Sequence, residues 1–138
     1  APHNLSYDAM GKPHLSDENF ISISHSFEFV AVAISSQEVG VDLEKERPKI
    51  QTIAPKFLHP SECALLSSDR MLTTSWCIKE AAYKLIAQKG LSFLNHIRIA
   101  KSQSDHLVST VQTAAGFVIL KNWVYHWPNY SCALALKK

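Results

Sequence analysis

The chain has 138 residues, a net charge of +2, 46% hydrophobic and 19% charged residues. That suffices for one globular domain over 1–138 with a real core, and the charge is too mild to point to nucleic acid. Three scattered cysteines (Cys63, Cys77, Cys132) form no CxxC pair or disulfide framework, no apolar run reaches membrane-spanning length, and no secretory signal opens the chain. The expectation is a protein of the reducing cytoplasm, with no membrane contact.

Residues 1–19 are polar and turn-rich, with a break at Gly11-Lys12-Pro13. Over 20–26, apolar and small polar residues alternate, which predicts a half-buried strand ending near Ser24 and His25. Neighbours on a strand point to opposite faces, so Ser24 and His25 are not a nucleophile and its base. Residues 29–34 are continuously apolar and predict a central strand covered on both faces.

Val39-Gly40-Val41-Asp42-Leu43-Glu44 predicts a strand with aliphatics on one face and Gly40, Asp42 and Glu44 on the other. Two carboxylates side by side repel unless a cation sits between them, and such oxygen donors suit Mg²⁺. An edge strand with a solvated acidic face is the plainer alternative. Gly40 leaves the backbone open to a ligand's approach.

A charged turn over 45–49 precedes a predicted helix over 50–58. Pro60 opens a further short helix with Glu62 in its first turn and Leu65 and Leu66 buried. The segment 71–88, free of Gly and Pro, predicts one long helix. Ser68 or Asp69 caps its start and Gly90 follows its end. Trp76, Glu80 and Lys84 stand in a row on one face; Ile78, Ala81, Ala82, Leu85 and Ile86 make an apolar stripe on another. Cys77 reads as a small buried hydrophobe. Strands are predicted over 96–100, 106–113, 117–126 and 130–136, with Trp123, Tyr125 and Trp127 on one face as aromatic core.

Ile23-Ser24-His25-Ser26, Gly40-Val41-Asp42-Leu43-Glu44 and Trp76-Cys77-Ile78-Lys79-Glu80-Ala81-Ala82-Tyr83-Lys84, in this order and with these gaps, resemble the 4′-phosphopantetheinyl transferase superfamily. The match is to its larger branch, which serves fatty-acid, polyketide and peptide carrier proteins. Gly11-Lys12-Pro13 and Lys89-Gly90-Leu91-Ser92 also fit. The resemblance implies transfer of phosphopantetheine from coenzyme A to a serine of an apo acyl or peptidyl carrier protein, with release of adenosine 3′,5′-bisphosphate. It implies that Asp42, Glu44 and Glu80 hold Mg²⁺ (Mn²⁺ being possible) and that Lys79 and Lys84 contact the pyrophosphate. Lys12, Pro13, Ser24 and His25 would line the nucleotide end. Glu80, directly or through a metal-bound water, would be the base, with Lys84 the catalytic cation.

That branch carries two similar halves with the site between them. This chain resembles the second half plus the end of the first, so a missing N-terminal half or a second chain is implied to complete the site. The expected fold is α+β: a mostly antiparallel sheet packed against one long helix and two short helices. Two rivals are a carrier-protein-binding module without catalysis and a nucleotide-pyrophosphate hydrolase. The hydrolase has no Walker-type glycine loop behind it.

Overall fold

A computed structural model describes residues 4–63, 68–103 and 106–138. The core architecture is a five-stranded antiparallel sheet with one long helix across it. In chain order the elements are β1 (Leu5–Tyr7), β2 (Pro13–Leu15), β3 (Phe20–Ser26), β4 (Phe29–Ser35), β5 (Val39–Lys45), α1 (Ile50–Phe57), α2 (Pro60–Cys63), α3 (Asp69–Ile86), α4 (Phe93–His96), β6 (Ile97–Gln103), β7 (His106–Thr113), β8 (Gly116–Trp127) and β9 (Tyr130–Lys137). The large sheet runs β5-β9-β8-β7-β6; β1–β2 and β3–β4 are separate hairpins. This is the expected α+β fold, with a third short helix, α4, and the β1–β2 hairpin added where the sequence showed only turns. Asp8 sets the turn of that hairpin by accepting from Met10 N and Lys12 N, both at 2.9 Å.

Helix α3 starts where its cap dictates: Ser68 is in extended conformation and its hydroxyl accepts from Met71 N. It ends before the predicted Gly90. Ala87 takes the left-handed conformation (φ 53°) and its N–H bonds to Tyr83 O. Most of the predicted stripe is buried: Ile78, Ala81, Ala82 and Leu85, with Cys77 beside them, pack on Ile97, Val111, Leu120, Ala133 and Ala135 of the sheet, while Ile86 is only partly buried. A second cluster joins α1 to α3 through Ile50, Ala54, Phe57, Leu58 and Leu72. Leu65 and Leu66 lie outside the described residues.

Gly40 faces α3, not a ligand. A Cβ there would fall 2.0 Å from the carbonyl oxygen of Ala81. With Ala133 and Ala135 on the next strand, small residues let helix and sheet backbones come unusually close, which corrects the reading of Gly40 as a ligand approach.

The strand at 29–34 also departs from expectation. It is not central: among the described residues β4 pairs only with β3. Ala31 and Ala33 pack toward Val41, Leu43, Tyr130 and Cys132, while Val30, Val32 and Ile34 face outward, 67%, 56% and 60% exposed. Trp123, Tyr125 and Trp127 do share one face, opposite α3. Trp127 packs on Phe29 and Tyr130, but Tyr125 is exposed, so this face is only partly core. Among the described residues no helix is long and apolar enough to cross a membrane.

Candidate active site

The Gly40–Ala81 approach lowers the half-buried row Trp76, Glu80 and Lys84 of α3 onto the acidic face of β5. Lys84 Nζ donates to Asp42 Oδ1 (3.1 Å), Val41 O (3.1 Å) and Ile23 O (3.4 Å), so one ammonium ties α3 to both β5 and β3. Asp42 is almost wholly buried, 3% exposed. Its Oδ1 also accepts from Ser24 Oγ at 3.2 Å, whereas its Oδ2 is buried without a hydrogen-bond partner.

Burial pushes the Asp42 carboxyl up to about 8; Lys84 opposes this, and the charges of Glu44 and Glu80 add to it. The Glu80 carboxyl is likewise raised, first by burial, with Lys84 opposing and Glu44 adding. The edge-strand alternative for β5 is thus half right: β5 is an edge strand, but Asp42 is not solvated. Asp42, Glu44 and Glu80 repel one another, and Lys84 is in direct contact with Asp42.

The structure separates Lys79 from this group. Its side chain is 0% exposed, and Nζ donates to Phe57 O, Phe93 O and Glu62 Oε1, each at 2.8 Å. Glu62 in turn accepts from His59 N (2.9 Å) and Ile99 N (2.8 Å). A buried ammonium satisfied in this way has no route to a pyrophosphate. The expected role for Lys79 is corrected: consecutive helical positions lie about 100° apart, so Glu80 reaches the site and Lys79 reaches α1, α2 and α4.

Ser24 and His25 divide as strand geometry requires. Ser24 is buried beside Asp42; His25 is exposed on the other face, opposite Val30. Lys12 Nζ donates to Leu85 O at 3.3 Å, and Lys12 and Pro13 line a cavity of about 180 Å³ with Ile23, Tyr83 and Lys84. The Gly-Lys-Pro segment therefore meets the site at Lys84. A second cavity, of about 290 Å³, is lined by Glu44 and Trp76 together with Phe27, Lys45 and Arg47. The ring of Phe27 lies 4.6 Å from Lys45 Nζ and 5.5 Å from the Arg47 guanidinium carbon. Sequence reasoning missed these three, having treated 45–49 as a plain charged turn and left Phe27 between two predicted strands. It missed Ser22 and Ser26 as well, although serine at every second position of β3 was the available signal.

The donor chemistry fits a hard divalent cation: carboxylates only, one oxygen buried and without a partner, and repulsion for a cation to relieve. Among the described residues no three His, Cys, Asp or Glu side chains converge enough to ligate an ion as they stand. Glu44 and Glu80 thus need to swing toward Asp42 to complete such a site.

A family model described as 4′-phosphopantetheinyl transferase superfamily matches residues 38–135, which include both the β5 carboxylates and the α3 row. The chain belongs to this superfamily. As a phosphopantetheinyl transferase homologue it is 32% identical over 104 residues to the 4′-phosphopantetheinyl transferase gsp of Aneurinibacillus migulanus, covering 71% of this chain and 44% of that protein. It is 38% identical over 86 residues to the 4′-phosphopantetheinyl transferase Sfp of Bacillus subtilis, covering 58% of this chain and 38% of that protein. The chain thus spans less than half the length of these relatives.

Its fold is that of holo-[acyl-carrier-protein] synthases. The Helicobacter pylori enzyme, solved in complex with coenzyme A, superposes with TM-score 0.60 at 20% identity, over 72% of this chain and 99% of that one. The Thermotoga maritima enzyme gives 0.61 at 21% identity, over 73% and 62%. Lys12, Pro13, Ser24 and His25 lie outside the residues matched by the family model.

Proposed function

We propose that this chain carries the cation- and base-bearing part of a 4′-phosphopantetheinyl transferase. The reaction moves phosphopantetheine from coenzyme A to a serine of an apo acyl or peptidyl carrier protein. The observation that supports it most is Asp42: buried, unpartnered at Oδ2, bonded to Lys84, and in the field of Glu44 and Glu80.

Asp42, Glu44 and Glu80 would hold Mg²⁺ (or Mn²⁺), which when bound neutralises charge on the pyrophosphate. Glu80 would accept the proton of the incoming serine hydroxyl. The serine oxygen attacks the phosphorus bearing pantetheine, and the bond to adenosine 3′,5′-bisphosphate breaks. Lys84, beside Asp42, would stabilise charge on the leaving phosphate. Lys12, Pro13 and the exposed His25 supply the nucleotide end. A reducing cytoplasm suits the free Cys77 and Cys132.

Mass spectrometry of an apo carrier protein mixed with this chain, coenzyme A and Mg²⁺ tests the reading. Phosphopantetheine added to the carrier, lost with EDTA or in a folded Glu80→Gln variant, supports it; Glu80→Gln with normal turnover removes Glu80 from this role. If nothing is transferred, the same assay with the first half of the two-half arrangement supplied separates an incomplete transferase from a carrier-binding module. Release of adenosine bisphosphate without a carrier marks a hydrolase.

A further inference from the structure

Strands β3 and β5 share no backbone ladder, yet they are joined by a rail of hydroxyls. Ser22 Oγ accepts from Val41 N (2.9 Å), Ser24 Oγ from Leu43 N (3.0 Å) and Ser26 Oγ from Lys45 N (3.0 Å). Because β5 is the edge of its sheet, these hydroxyls take the place of a neighbouring strand's carbonyls. Each accepts along one direction and has one proton left to give. At Ser24 that proton goes to Asp42 Oδ1.

We propose that Ser24 is a positioning residue for the cation site, orienting Asp42. Leu43 N–H fixes the Ser24 hydroxyl as an acceptor, which aims its proton at Oδ1. Lys84 donates to the same oxygen from the helix side. With Oδ1 held from two elements, the buried and unpartnered Oδ2 is the oxygen left for a cation. Ser24 is 6% exposed and its proton is committed, so a phosphate would have to break the Asp42 bond to receive it. The inference rests on the transferase reading only in taking Asp42 as a cation ligand.

The test is Mn²⁺ titration of this chain, followed by electron paramagnetic resonance, for wild type, Ser24→Ala, Ser22→Ala and Asp42→Ala. Ser22→Ala removes an equivalent acceptor from the same rail without touching the carboxylate, and thermal melts match the two serine variants for stability. Removing a partner that orients a ligand costs about 10-fold or more in metal affinity, and that loss is expected for Ser24→Ala while Ser22→Ala stays near wild type. Binding lost in Asp42→Ala but unchanged in Ser24→Ala overturns the role of Ser24 alone. Equal losses in Ser24→Ala and Ser22→Ala also overturn it, because the rail then acts only by closing the strand edge. Binding that survives Asp42→Ala, or is absent in the wild type, removes Asp42 as a ligand and refutes both readings.

Discussion

Lys79 Nζ stands 2.8 Å from Glu62 Oε1 with both side chains out of water, 0% and 4% exposed. This ion pair gathers the chain ends of α1 and α4 around the middle of α3 through Phe57 O and Phe93 O. Lys79→Met leaves the Glu62 carboxylate buried without its cation and is expected to cost about 3–5 kcal/mol. Lys79→Met with Glu62→Leu removes both charges and should recover part of that loss. Urea unfolding of the two variants measures the difference; a single variant no worse than the double would mean that the pair does not act as a unit.

Gly40 and Ala81 set the distance between sheet and helix. Gly40→Ala forces a Cβ against a backbone carbonyl, which cannot swing away as a side-chain tip can. Overpacking of this kind costs about 3 kcal/mol or more, and the variant should melt well below wild type. A Gly40→Ala protein with an unchanged melting temperature would show that α3 can lift off β5 at no cost.

The raised Asp42 carboxyl makes metal-free stability depend on pH. Its folded value of about 8 lies above the unfolded value near 3.9, so the folded state keeps a proton that the unfolded chain gives up. This contribution is therefore fully present below about pH 4, declines as pH rises, and is spent above about pH 8. The slope is at most about 1.4 kcal/mol per pH unit. In EDTA, urea midpoints of the wild type should fall from pH 5 to pH 8, and Asp42→Asn should flatten that fall. Parallel profiles for the two proteins would place the titrating group elsewhere.

The sequence showed what depends on spacing. Period-two alternation put Asp42 and Glu44 on one face, four-residue spacing aligned Trp76, Glu80 and Lys84, and Ser68 or Asp69 marked the start of α3. What depends on a third element was not legible. Whether Lys79 faces solvent or core is settled by α1, α2 and α4, which cover it from positions remote in sequence. Gly40 looked open because nothing local says that a helix carbonyl fills the space. The apolar 29–34 run read as central because composition reports burial preference, not the number of neighbouring strands. Ser24 was placed by family position at the nucleotide, while its bond to Asp42 arises from a contact 18 residues apart.

The outward row of β4 has a practical consequence for handling this polypeptide. Residues 29–34 carry no charge and no proline, and among the described residues β4 has only β3 beside it. Such a segment is a template on which further strands can grow. Concentrated solutions of the chain should therefore lose material to filaments, after a lag that shortens with seeding, and Val32→Lys should lengthen that lag without disturbing the carboxylates on the far side of the hairpin.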